Sequence, residues 1–271
     1  MTEGAIALSL ERAALEAAWR HRRLWLLHAV ANAVLFGAGY AALRVPDEKL
    51  WQVALFFLLA VILVAAALLL HGGTFLFFRR IQAGETSNLL GALGGARRRL
   101  APLALWAVLL GGVLWLAGLV DDRIEGAAAW LGSYLTLHWH TPVKPASVET
   151  ALEWLLWLVE WFVVPMILLP LAAEVADSGF AGFLGRGWRG VWRVVRRGRC
   201  WIGYAMFFAL GILLPSRLLH WVPKLNGVWL ELLSLLVRLG IAYAMFIAVW
   251  LVLASWLGRA TLADAGPESK A

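Results

Sequence analysis

Apolar residues in this chain come in long, continuous runs separated by short polar stretches. The runs cover 24–43, 50–78, 101–119, 151–175, 200–218 and 228–257. A bilayer core takes about 20 apolar helical residues to cross, and every run is close to that length or beyond it. Lipid offers the backbone no hydrogen-bond partner, so a spanning segment is either a helix or a strand of a closed barrel. Barrel strands alternate between two faces over about ten residues, and these runs do not alternate. The pattern therefore predicts an all-α fold: an integral membrane six-helix bundle. The run over 50–78 is long enough that it must tilt or project beyond the hydrocarbon.

The polar stretches have a pattern of their own. Residues 1–23 read as an interfacial amphipathic helix, ending in the aromatic and basic anchor Trp19-Arg20-His21-Arg22-Arg23. A break at Ala83-Gly84-Glu85 precedes a short Gly-rich basic helix, Leu89–Leu100. A second break at Asp177-Ser178-Gly179 precedes a basic amphipathic helix, Phe180–Arg199, which carries Trp188 and Trp192. Gly91-x-Leu93-Gly94-x-x-x-Arg98 echoes in Gly182-x-Leu184-Gly185-x-x-x-Arg189. The chain thus reads as a threefold parallel repeat of surface helix plus transmembrane hairpin, residues 24–258 forming the membrane domain. Residues 120–150 read as the largest loop, with a semi-apolar stretch, Ala127–Trp139, lying on the membrane. A small polar tail is expected over 259–271.

Charge orients this plan. Of 24 Lys and Arg residues, only Arg44, Lys49, Arg123, Lys144, Arg217 and Lys224 fall opposite the N-terminal side, and Arg238 falls inside a run. The positive-inside rule then places both termini in the cytoplasm. Arginine far outnumbers lysine, an association with GC-rich bacterial genomes, so the expected location is a bacterial cytoplasmic (inner) membrane. The net charge of +7 collects at the expected inner leaflet, where anionic headgroups attract each basic residue by about 1 kcal/mol. Membrane lipid, not nucleic acid, is the expected partner, contacted by Arg22, Arg23, Arg97, Arg98, Arg99, Arg189, Arg193, Arg196 and Arg197. Other membrane subunits are a further candidate partner. No cofactor is called for, and Cys200, the single cysteine, has no intrachain disulfide partner.

Few residues invite chemistry. Charges inside hydrocarbon are costly and usually face the bundle interior. Glu160 and Arg238 lie at similar depth in the fourth and sixth runs, which suggests an intramembrane charge pair, with Glu231 seven residues before Arg238 as a competitor. Such a pair either locks helix packing or forms a gate or substrate contact. Pro165 and Pro170 free carbonyls in the fourth run, as in kinked helices and in transporter sites alike. His28 and His71 suggest a polar relay or plain hydrogen bonding within the bundle. His138 and His140, with Asp121, are weak metal candidates: imidazole and carboxylate suit zinc, but the spacing supplies no third ligand.

The Ala83-Gly84-Glu85 break, the Gly91–Arg98 stretch and the Asp177–Arg199 stretch resemble uncharacterised bacterial polytopic membrane proteins. They resemble in particular the membrane domain attached to glycerophosphoryl diester phosphodiesterases. The catalytic barrel found with that domain is missing, so the resemblance implies a membrane domain of unknown role and no phosphodiesterase activity. Three functions stay open. The first is a non-enzymatic lipid-interacting scaffold or accessory subunit of a membrane complex. The second is a small transporter or channel centred on Glu160 and Arg238. The third is a lipid-modifying enzyme using His138, His140 and Asp121.

Overall fold

The computed structural model describes residues 3–224 and 227–260, with side chains from Arg12 onward except those of Arg186 and Arg199. Among these residues there is no strand, and six helical spans are long and apolar enough to cross a membrane. The chain is a polytopic, all-α membrane protein, as its apolar runs require. Three short helices precede spans at one end of the bundle. Helix α1 (Glu3–Arg20) leads into α2 (Arg22–Ala42) and α3 (Leu50–Gln82); α4 (Leu89–Arg98) leads into α5 (Leu100–Asp121). After α6 (Ile124–Trp139), the fourth span is α7 (Pro145–Leu158) and α8 (Val164–Ser178), joined through a π-helical segment, Val159–Val163. Helix α9 (Gly187–Arg196) leads into α10 (Gly198–Phe208) and α11 (Leu214–His220), joined through Ala209–Leu213, and α12 (Val228–Ala260) is the last span.

Several expected boundaries move. The fourth span begins at Pro145, six residues before the apolar run at 151, because proline with its fixed φ suits a first helical turn. Residues 124–139, expected within a loop, form a helix packed along α7, with Gly132 against Pro145. The α3 helix continues past 78 to Gln82, and α12 past 257 to Ala260. Residues 261–271, most of the expected tail, lie outside the described residues.

Both interrupted spans carry proline just after the π segment, at Pro165 and Pro215. Proline lacks the N–H for an i→i−4 bond, and its ring crowds the preceding turn. Widening that turn by one residue relieves the clash without ending the helix.

The three short helices share one end, the basic end. Each packs on a span that reaches that end: α1 on α12, α4 on α3, α9 on α8. The echoed Gly/Arg motif does not share one local form, since Gly91 lies in the α-helix of α4 while Gly182–Arg186 is π-helical. Packing concentrates at this end. Phe75–Phe78 of α3, Leu171–Ala176 of α8 and Leu253–Gly258 of α12 are buried together. Toward the opposite end the spans present apolar side chains outward, as on α12, where Val228–Leu233 are exposed on every face.

Small residues permit this convergence. A Cβ on Gly258 would stand 3.1 Å from the Arg79 backbone nitrogen and 3.2 Å from the Phe78 carbonyl carbon. Backbone cannot swing aside as a side chain can, so α12 and α3 meet only because that position is bare. Gly258→Val is expected to destabilise the bundle by about 2 kcal/mol, read as a lowered Tm in detergent. Gly112→Ala, where a Cβ meets nothing within 4 Å, is expected to leave Tm unchanged or slightly raised.

Candidate functional site

The basic end is held by a buried charge cluster that counting charges along the sequence did not bring together. Arg79, at the end of α3, reaches Glu174 of α8 through Nη1 at 3.0 Å, and Asp177 through Nε at 3.2 Å. The Nη1 contact is an ion pair without hydrogen-bond alignment. Glu174 is almost fully buried, and the α9 backbone seals it: a Cβ on Gly190 would stand 3.3 Å from its Oε1. Ser178 donates to the Glu174 carbonyl at 2.8 Å. The turn between α8 and the Gly182–Arg186 segment passes through Gly179 at φ 63°, a conformation glycine accepts without steric cost. Arg79 thus ties α3 to α8, and α9 lies across the tie.

This arrangement fixes which faces of the short helices look outward. In α9, Gly187, Gly190, Val191 and Val194 are buried, while Trp188, Arg189, Trp192 and Arg196 are exposed. Arg196 sits over the Trp192 ring at 4.5 Å, a cation–π pair. Arg193 is half-buried and its Nε donates to the Arg189 carbonyl at 3.3 Å, and Arg197 is exposed. In α4, Asn88 caps the start by accepting from the Gly91 N–H at 2.5 Å. Ala92 and Ala96 face α3, and Arg97 and Arg98 point outward. Arg99 is half-buried, with Nη1 shielded from solvent and lacking a hydrogen-bond partner. Around the α1–α2 joint, Trp19, Arg22 and Arg23 are exposed, and the Trp25 indole donates to the Ala18 carbonyl at 2.8 Å. His21 packs edge-on against Phe77. Burial, and then the nearby Arg20 charge, push its pKa below the ordinary histidine value, so it adds little to the basic charge at neutral pH. Arginine and tryptophan thus alternate on one surface, the pairing found at headgroup level in membrane proteins.

The intramembrane candidates settle differently. Glu160 and Arg238 do not pair, and neither do Glu231 and Arg238. Arg238 is buried, and its guanidinium donates to the carbonyls of Leu219 (3.1 Å), Trp221 and Ser234 (3.2 Å). Similar depth puts Glu160 and Arg238 on one level without making them neighbours, and α11 ends at His220, beside Arg238. Terminal carbonyls in an apolar setting have no water to bond, and a guanidinium brings five donors to them. Glu231 is exposed on α12. Glu160 lies in the π segment and lines a cleft at the opposite end, shared with Asp121, Glu153, Arg217 and His220.

His28 and His71 are neighbours, with ring centroids 5.4 Å apart, yet no hydrogen bond joins them. The polar chain runs elsewhere. Thr74 donates to the Leu70 carbonyl at 2.7 Å, so its oxygen accepts from His28 Nε2 at 2.8 Å, and Asn32 Nδ2 then donates to His28 Nδ1 at 3.3 Å. His71 packs edge-on to Trp250, and its buried Nδ1 has no partner. The result is a closed interhelical bond between α2 and α3, with no continuous relay. His138 stacks on Tyr134 along α6, and His140 ends that helix at φ 54°. Neither lines the cleft that Asp121 lines, and no group of three His, Cys, Asp or Glu among the described residues could hold a metal ion. The proposed His138–His140–Asp121 set is therefore not assembled.

Breaking a buried pair costs about 3–5 kcal/mol, and the low end applies here because Arg79 keeps its Asp177 contact when Glu174 is neutralised. Glu174→Gln is therefore expected to lower stability by about 3 kcal/mol. Asp177→Asn, at a side chain 38% exposed, is expected to cost under about 1 kcal/mol. Chemical denaturation in mixed micelles measures both. No protein family, curated protein or solved structure matches this chain.

Proposed function

We propose that this protein is a non-enzymatic, lipid-interacting scaffold or accessory subunit of a bacterial inner membrane. In this reading its basic end lies at the cytoplasmic leaflet, and both termini are cytoplasmic. The carrying observation is the outward surface of α4 and α9, where Arg97, Arg98, Arg189 and Arg196 stand beside Trp188 and Trp192 while the opposite helix faces are buried. Indole rings sit at the headgroup level, and guanidinium groups take phosphate oxygens in a bidentate manner. The positive-inside rule supports the same placement. The buried Arg79–Glu174 tie suits a scaffold, since it joins α3 to α8 beneath α9.

Four basic residues at about 1 kcal/mol each, partly screened by salt, predict a loss of affinity on the order of a hundredfold when all are neutralised. The fourfold variant Arg97→Gln, Arg98→Gln, Arg189→Gln, Arg196→Gln is expected to lose that much affinity for phosphatidylglycerol in detergent solution. The unsubstituted protein is expected to gain thermal stability from phosphatidylglycerol and to lose that gain in high salt. An equal gain from a neutral lipid, or an unaltered affinity in the variant, would refute the reading.

A further inference from the structure

The cleft at the opposite end has a lining whose charges are sorted by element. Asp121 ends α5, Glu153 lies on α7 and Glu160 lies in the following π segment, while Ser216, Arg217 and His220 all come from α11. The volume is about 600 Å³, in the range of small-ligand pockets. Arg217 forms no ion pair with any of the three carboxylates, although it lines the same cleft. Nor are three of the acidic and imidazole groups gathered closely enough to hold one metal ion. Opposite charges that share a cleft without meeting leave room for a ligand carrying both signs.

A second cavity says what kind of ligand. An apolar groove of about 390 Å³ adjoins the cleft, and the two share Trp154, Trp157 and Leu213 as lining. Leu155, Leu158 and Phe208 complete much of its wall, and Trp157 packs on Phe208 at 5.4 Å. Leu155 is 57% exposed and Leu158 42% exposed, so the groove opens sideways on an apolar helix surface. A polar cleft continuous with a lipid-facing apolar groove matches an amphiphile: headgroup in one, acyl chain in the other.

We infer that this cleft binds one phospholipid whose headgroup carries a primary ammonium and a phosphate, taken from the leaflet opposite the basic end. The ammonium lies among Asp121, Glu153 and Glu160, in the part of the lining that Trp154 and Trp157 share. Its three N–H donors match carboxylate acceptors, whereas a trimethylammonium brings none. The phosphate lies on Arg217, with the Ser216 hydroxyl within the same lining. His220 donates its Nδ1 proton to the Ser216 carbonyl at 2.8 Å, which holds the ring in place. Three carboxylates against one guanidinium make the lining net acidic, so it repels an anionic headgroup. This site is separate from the basic end and does not rest on the scaffold reading.

The test titrates the detergent-purified full chain with dioleoyl phosphatidylethanolamine, phosphatidylcholine and phosphatidylglycerol, counting bound lipids by native mass spectrometry. The unsubstituted protein is expected to hold one phosphatidylethanolamine about tenfold more tightly than phosphatidylcholine, the worth of one charge-assisted hydrogen bond. Glu160→Gln and Arg217→Gln are each expected to weaken phosphatidylethanolamine by about tenfold, while phosphatidylglycerol binding stays as it was. No preference over phosphatidylcholine in the unsubstituted protein would overturn the assignment, whatever the variants do. So would unchanged phosphatidylethanolamine affinity in either variant. Displacement of the lipid by millimolar soluble glycerophosphoethanolamine would assign the cleft to a free headgroup and remove the role of the groove.

Discussion

The ion pair between Arg79 and Glu174 is the constraint on which the packed end of this bundle depends. Neither partner is free to find another geometry: Arg79 follows the buried Phe75–Phe78 stretch, and Glu174 lies among buried alanines and valine on α8. Two charges removed from solvent persist only if they meet. Their meeting sets the distance between α3 and α8, and that distance sets where Gly190 can bring α9 down. The Gly258 approach of α12 to the Phe78–Arg79 backbone joins the third span to the same point. One polar tie and two bare glycine positions thus collect three spans and a surface helix.

The two ends of the molecule follow from this concentration. Where spans converge, side chains are buried by protein; where they diverge, the same apolar residues must be covered by lipid. A helix such as α12 exposes apolar side chains all round its first turns, with Glu231 the one charge among Val228–Leu233, which water would not tolerate and hydrocarbon does. Divergence also opens the cleft between α5, α7 and α11. Prolines at Pro165 and Pro215 assist, because each π segment displaces its helix at the level of that cleft: Glu160 and Leu213 both lie in π segments and both line it.

The spans were legible because length and continuity are enough to define them, and lipid leaves the backbone no other option. What sequence could not supply was partner choice. Arg238 was rightly read as a buried charge, but depth along a helix does not say which neighbour arrives there; the end of α11 did, and carbonyl oxygens took the place assigned to a carboxylate. Arg79 falls among the basic residues on the N-terminal side by charge counting, since it lies near the end of an apolar run. Only the fold of α9 back over α8 buries Glu174, and the signal for that was faint: Gly182, Gly187 and Gly190 recur where one helix would need to lie against another. The π segments carried a readable sign in Pro165 and Pro215, though proline alone does not distinguish a kink from a widened turn.

The contrast between Arg238 and Glu160 bears on what the cleft is for. Both charges lie within spans, where a lone ion is expensive. Arg238 donates through Nε and Nη1 to three carbonyls of its own chain. Glu160 has no ion-pair partner among the described residues and sits in a cleft with two further carboxylates and Arg217, which pairs with none of them. A chain that can bring carbonyls to one intramembrane charge could bring Arg217 to another, and closing that gap would neutralise both at once. Keeping them apart is stable only with water or a polar ligand between them. Water would satisfy the charges but leave the adjoining groove of Leu155, Leu158 and Phe208 without an occupant of its own polarity. A lipid with a doubly charged headgroup satisfies the cleft and the groove together, which is why the amphiphile is the economical answer to both cavities.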